Sequence, residues 1–148
     1  VSANGQLAVS VWVRLLKSHG LILRQVRRRV PERLTLPQFD VLAQLYRHEA
    51  GMTPGELTRE LLVTGGNVTG IVSRLTRLGL VERRPVPEDR RRLRVRLTPR
   101  GRQVIGRAIP RHRRDVAGLI GGLKRGEMAQ LQALLGRLAR ALEARGEA

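Results

Sequence analysis

The sequence contains no cysteine. That excludes disulfides, thiolate nucleophiles, thiol-based redox sensing and cysteine zinc sites together. It holds one Phe, one Tyr and one Trp, too few to build stacking platforms for single-stranded nucleic acid. Its histidines, His19, His48 and His112, are scattered, and no metal or other cofactor is expected. No apolar run approaches the ~18 residues that a membrane span needs. The opening VSANGQLAVS has neither the basic start nor the cleavage site of a secretory signal, so a cytoplasmic location is expected. Acids are also scarce. Against 29 Lys and Arg stand 12 Asp and Glu, a net charge of +17 on 148 residues. Only Lys17 and Lys124 are lysine, so 27 of the cations (29 − 2) are Arg. GC-rich codons explain part of that arginine excess but not the shortage of acids. The balance favours a polyanionic partner, nucleic acid first and a membrane surface second.

The length fits one domain, 1–148, with a real core. Over 7–30, Ala8, Trp12, Leu15, His19, Ile22 and Val26 recur at helical spacing, and Pro31 ends the pattern. A helix of that length runs ~36 Å, so its apolar stripe needs cover along its whole length. Thr35 and Gln38 have capping-box spacing before Phe39, Leu42, Leu45 and Tyr46. Thr53-Pro-Gly-Glu56 opens a short third helix with Leu57 and Leu61 inward. Thr64 is expected to cap a fourth helix that buries Val68, Ile71, Val72, Leu75 and Leu78 and stops at Gly79. A strand over 80–84 and a polar loop over 85–91 follow. Arg92–Leu97 then alternates, with Leu93, Val95 and Leu97 on one face and arginines on the other. Thr98-Pro99 starts a fifth helix, which Pro110 should kink and Gly121-Gly122 should end. A last helix, about 126–145, is expected to bury Met128, Leu131, Leu134, Leu135, Leu138 and Leu142.

This order is mainly α with a small β-hairpin wing. It is the layout of a winged helix-turn-helix, 35–98, flanked by helices at 7–30 and 99–145. Opposite its apolar side the fourth helix shows Gly66, Gly70, Ser73 and Arg77, flanked by Asn67, Thr69 and Arg74. A slim, cation-edged face of this kind enters a major groove where bulky aliphatics do not. A frayed helix start with solvated polar residues is the plainer account of the same segment. Residues 82–114 hold thirteen Arg and three acids, a local charge of +10. At the hairpin tip Asp89 stands beside Arg90, Arg91 and Arg92. An acid there weakens phosphate binding unless it orients Arg91 for a minor groove. Without context, a solvated basic turn with a local ion pair is the better account of the tip.

The run TGGNVTGIVSRLTRLGLVERRPVPEDRRRLRVRLTPRG, 64–101, resembles the MarR family of bacterial winged-helix regulators. The resemblance lies in Arg-Leu-x-x-x-Gly-Leu-Val-x-Arg from Arg74 to Arg83, then in Asp89, Arg91, Leu97, Thr98 and Gly101. It implies a homodimer joined through the first, fifth and sixth helices, which would cover the unpartnered stripes. It implies that Asn67, Thr69, Ser73 and Arg74 read the major groove, that Asp89 and Arg91 form the wing pair, and that Thr53 and Thr64 cap helices aimed at phosphate. Arg77 and Arg90 join them as expected contacts to double-stranded DNA. An effector pocket between the dimer helices and the winged region is implied too, with Trp12, His19, Tyr46 and His112 as its candidate lining. VTGGNVTG after QFDVLAQLYRH is similar to a branch controlling aromatic-acid catabolism, which implies an aromatic or acyl-CoA effector. Pro110 departs from the family's uninterrupted fifth helix, and the lack of cysteine excludes its cysteine-based peroxide sensors.

No enzyme is expected. The sequence has no His–acid pair, metal-ligand spacing, phosphate-binding loop after a strand or nucleophile motif. The expected function is a ligand-responsive DNA-binding transcriptional regulator, a repressor acting as a homodimer on a pseudo-palindromic operator. The alternative is a sequence-tolerant architectural nucleic-acid-binding protein, which the same charge would suit.

Overall fold

The computed structural model describes residues 2–31, 33–62 and 67–146. In chain order the elements are α1 (Ala3–Arg27), α2 (Leu36–Arg47), α3 (Pro54–Glu60), α4 (Val68–Arg77), β1 (Val81–Val86), β2 (Asp89–Leu97), α5 (Pro99–Ile120) and α6 (Arg125–Gly146). The chain divides into two compact units, 1–113 and 114–148, with α5 running from one into the other. No described helix is long and apolar enough to cross a membrane.

The first unit holds the core. Leu42, Leu45, Leu57, Leu75, Val81, Val95 and Ile105 are all but fully buried, so α2, α3, α4, the hairpin and α5 share one apolar centre. Local chemistry sets where the helices begin. Thr35 accepts from the Gln38 amide while the Gln38 side chain accepts from the Thr35 amide, closing a capping box at α2. Thr53 and Glu56 repeat it at α3, with Pro54 in the first turn. Thr98 Oγ1 accepts from Gly101 N at 3.0 Å and donates to the Gly79 carbonyl at 2.7 Å, tying the start of α5 to the end of α4. Gly79 has φ +71°, the left-handed conformation that stops α4 at little steric cost.

The antiparallel hairpin pairs Val81 with Leu97 and Arg83 with Val95. Val95 also exchanges two backbone hydrogen bonds of 2.8 Å with Met52, which adds a third, one-residue edge to the wing.

Several expectations need correction. α1 starts at Ala3 instead of residue 7, because Ser2 caps it, and it ends at Arg27, short of Val30. Thr64 lies outside the described residues, as do Gly65 and Gly66. The cap position of α4 is Asn67, with Val68 its first helical residue, so Thr64 is not the cap. The loop expected over 85–91 shrinks to a two-residue turn at Pro87-Glu88, because β1 and β2 extend to Val86 and Asp89. Leu78 and Leu93 are exposed, the first at the end of α4, the second out along the wing beyond the core. α5 is one helix through Pro110, as expected. The stripe of α6 is not buried within the chain, and Leu134 and Leu142 are more than half exposed. The stripe of α1 is uncovered within the chain, as its length implies, with Trp12 at 59% exposure and only Val26 buried.

Candidate nucleic-acid interface

α4 turns Val72 and Leu75 into the core, with Val68 and Ile71 packed against it. At 100° per residue, Thr69, Gly70, Ser73, Arg74 and Arg77 then fall on the far side. Thr69, Arg74 and Arg77 are exposed, while Ser73 is half-buried. Asn67 makes no side-chain capping bond. Its amide lies over Gly70, 3.6 Å from where a Cβ would stand. The outer face of α4 thus stays slim through its first turn.

The wing lies next in sequence, and Arg83 ties it to α4. Arg83 Nη2 donates to Ser73 Oγ at 3.2 Å. Because Arg83 sits opposite Val95, it shares the face of the hairpin turned toward the core. The reverse face is less uniformly basic than its sequence suggests. Glu82 sits there between Arg84, at 3.1 Å, and Arg96, at 3.8 Å. Arg94 is held by the fold: it donates to the Gly51 carbonyl at 2.8 Å and faces Glu56 at 3.6 Å. At the tip, Asp89 Oδ1 accepts from the backbone amide of Arg91 at 3.0 Å. The contact shapes the turn by an Asx-type bond, so Asp89 acts first on the backbone that carries Arg91. Arg90 and Arg91 are exposed.

Thr53, expected near phosphate, is half-buried with its hydroxyl engaged by Glu56 N. Its partner Glu56 is held below the usual carboxylate range, chiefly by the hydrogen bond from the Thr53 amide; burial pushes the other way, and the Arg94 and Arg59 guanidiniums add smaller lowering effects. The lowered value means that this contribution to stability is complete above the ordinary glutamate pKa, near 4.5, and disappears as pH falls through the folded value. Glu56→Gln should therefore be less stable than the parent at neutral pH, with the gap closing in acid. Denaturant titrations across pH 3–7 check this, and a gap independent of pH would contradict it.

The four residues expected to line an effector pocket separate into pairs. Tyr46 and His112 both lie where α2 meets α5. The Phe39 and His112 ring centroids are 4.8 Å apart, and the Arg102 guanidinium lies 5.3 Å from the Tyr46 ring centre. Trp12 and His19 are exposed on α1.

Arg83 stands out in the sequence only as the end of the Arg74-to-Arg83 run, and its bond to Ser73 has no sequence signal. Asp40 and Gln44, buried on α2 beside the helix-turn-helix, had no sequence signal at all.

Comparison with known proteins agrees with this geometry. The family model described as MarR family matches residues 34–92, from just before α2 to the wing. The multiple antibiotic resistance protein MarR of Salmonella typhimurium is 35% identical over 109 residues, covering 73% of this chain and 75% of that protein. The chain belongs to the MarR family. Among solved MarR-family structures, a transcriptional regulator from Silicibacter pomeroyi matches with a TM-score of 0.82 and 29% identity, covering 96% of this chain and 99% of that one. A MarR mutant from E. coli, solved in complex with operator DNA, matches with a TM-score of 0.77 and 27% identity, over 93% of this chain and 99% of that one. The match to the regulator PecS of Dickeya dadantii, at 30% identity, covers 72% of this chain but 65% of that protein, slightly under two thirds of its length.

Proposed function

We propose that this MarR-family chain is a ligand-responsive transcriptional regulator. It binds a pseudo-palindromic operator as a homodimer, acts as a repressor in the cytoplasm, and controls genes of aromatic-acid catabolism. One observation carries the DNA reading: the polar outer face of α4 and the arginine-rich wing share one core, and the Arg83–Ser73 bond links the base of the wing to that face. The E. coli relative bound to operator DNA supports it. Thr69, Ser73, Arg74 and Arg77 face the major groove, with Asn67 at the entry to α4; Thr64, expected near phosphate, lies outside the described residues. Arg90 and Arg91 reach the minor groove, and Thr53 orders the start of α3 beside the backbone. The effector reading rests on Tyr46 and His112, which stand on the α2–α5 contact where a bound aromatic or acyl-CoA ligand would push on the module. Trp12 and His19 join them where α1 closes the site in a dimer.

Selection of fragments of the source genome with the purified protein tests the function. The expected product is one motif with half-sites roughly 10 bp apart, and enrichment without a motif would favour the architectural alternative.

The wing gives a finer test. Arg91→Ala should weaken operator binding by ~1–3 kcal/mol, whereas Arg94→Ala should mainly lower stability, since Arg94 is engaged with Gly51 and Glu56. Asp89→Ala removes a negative charge, so bulk electrostatics alone would tighten binding. The Asp89–Arg91 backbone bond reverses that expectation: the variant should bind more weakly, because an unanchored tip loses more conformational entropy on docking. Titration at fixed salt decides, and tighter binding by Asp89→Ala would refute the orienting role.

A further inference from the structure

We infer that Asp40 and Gln44 on α2 are positioning residues for the recognition helix: they clamp the exit of α3 and thereby set how α4 presents its outer face. The inference rests on the DNA-binding reading above. α2 is otherwise the most apolar-packed helix of the chain, with Phe39, Val41, Leu42 and Leu45 in the core. Yet Asp40 and Gln44, one turn apart on the same helix, are 6% and 5% exposed. Burying such groups is unfavourable unless their hydrogen bonds are satisfied. Their partners lie on the turn that leads toward α4. Asp40 Oδ2 accepts from Leu62 N at 2.7 Å, and Gln44 Nε2 donates to the Glu60 carbonyl at 2.9 Å.

The need for both bonds follows from how α3 ends. The helix stops at Glu60, and Leu61 is extended, with ψ 130°. The Leu62 amide therefore leaves the helical ladder, and the last carbonyls of α3 have no further intrahelical donors. α2 meets this with one acceptor and one donor, spaced to match two backbone groups two residues apart. Apolar side chains at 40 and 44 would fill the same volume without fixing the direction in which the chain leaves α3. α4 packs on both α2 and α3, so an altered exit changes how its polar face is presented while its apolar face remains attached to the core.

The test uses the full-length chain and three variants, Asp40→Ala, Asp40→Asn and Gln44→Leu. Asparagine keeps an acceptor oxygen where Asp40 Oδ2 stands, and alanine does not. Two readouts are taken: amide exchange at Leu62, and the ratio of affinities for a selected operator and a shuffled duplex. Asp40→Ala should speed Leu62 exchange about tenfold or more, the loss expected for one charge-assisted bond. It should lower the operator-to-shuffled ratio by about tenfold while shuffled-duplex affinity stays within about twofold, since phosphate contacts supply the latter. Gln44→Leu should lower the ratio in the same direction, and Asp40→Asn should recover both readouts. Unchanged Leu62 exchange in Asp40→Ala, or an unchanged ratio once that protection is lost, overturns the inference. If Asp40→Ala does not fold, Asp40→Asn and Gln44→Leu decide: a folded Asp40→Asn that protects Leu62 but loses operator preference, or a Gln44→Leu that keeps full preference, also overturns it. A parent with no operator preference would instead reject the DNA reading, and with it the role of the clamp in presentation, even where Leu62 protection still depends on Asp40.

Discussion

Gly101→Ala should destabilise the protein by about 3 kcal/mol, a fall in melting temperature of roughly 10 °C for a chain of this size. Gly101 is buried in the first turn of α5, and a Cβ there would overlap the Leu80 carbonyl oxygen and stand 2.8 Å from its carbon. Neither side can yield cheaply. The Leu80 amide donates to Leu75 O and its carbonyl accepts from Thr98 N, while Leu80 itself is buried. Gly101 in turn donates to Thr98 Oγ1, whose own hydroxyl binds Gly79 O. One added methyl thus strains the junction of α4, the wing and α5 together. The Leu-Thr-x-x-Gly run after the wing therefore has a local steric reason for its glycine. Thermal melting with circular dichroism checks this, and a midpoint within about 2 °C of the parent would show that the junction relaxes around the methyl.

Aspartate at Leu131 and Leu135 together should abolish dimerisation at micromolar concentration and weaken operator binding by ~10² or more, because paired half-sites would no longer be engaged together. Leu131, Leu135 and Leu138 lie at three- and four-residue spacing on α6, each about 40% exposed, and no residue of α6 is buried within the chain. Contiguous exposed leucine of this kind marks an interaction surface, which the proposed dimer would cover. The substitutions remove no contact inside the monomer core, so the helical signal should persist while the assembly fails. Sedimentation velocity with a DNA titration checks both halves. A double variant that remains dimeric at the parent's concentration would place the interface elsewhere.

Legibility in the sequence follows the range of the interactions. The two capping boxes and the Thr98 cap join residues three apart, and each forms at the residues the sequence marks. The start of α4 was misjudged because a threonine before two glycines carries the same local signal as a true cap, while Asn67 caps by position without a side-chain bond. The length of the wing was missed because Arg90 and Arg91 are exposed at the tip, and solvated strands carry no alternation to read. Leu93 alternates correctly and is still exposed, since the hairpin outruns the core. The polar links that organise the site, Arg83 to Ser73, Gln44 to Glu60 and Asp40 to Leu62, span 10, 16 and 22 residues. Nothing in a single sequence ties such partners together before the fold is known. The apolar faces of α1 and α6 are legible from their spacing, and so is the lack of cover for them within one chain, since each stripe is too long for one small core.

The most direct test of the account is competition at physiological salt between a labelled operator, taken from the genomic selection, and unlabelled operator or base-shuffled duplex. Sequence-specific recognition predicts that the protein prefers operator by ~10³ or more, and that both affinities fall steeply as salt rises. Equal competition by the two duplexes would contradict sequence-specific recognition by α4 and the wing, and would leave a basic protein that binds DNA by charge alone.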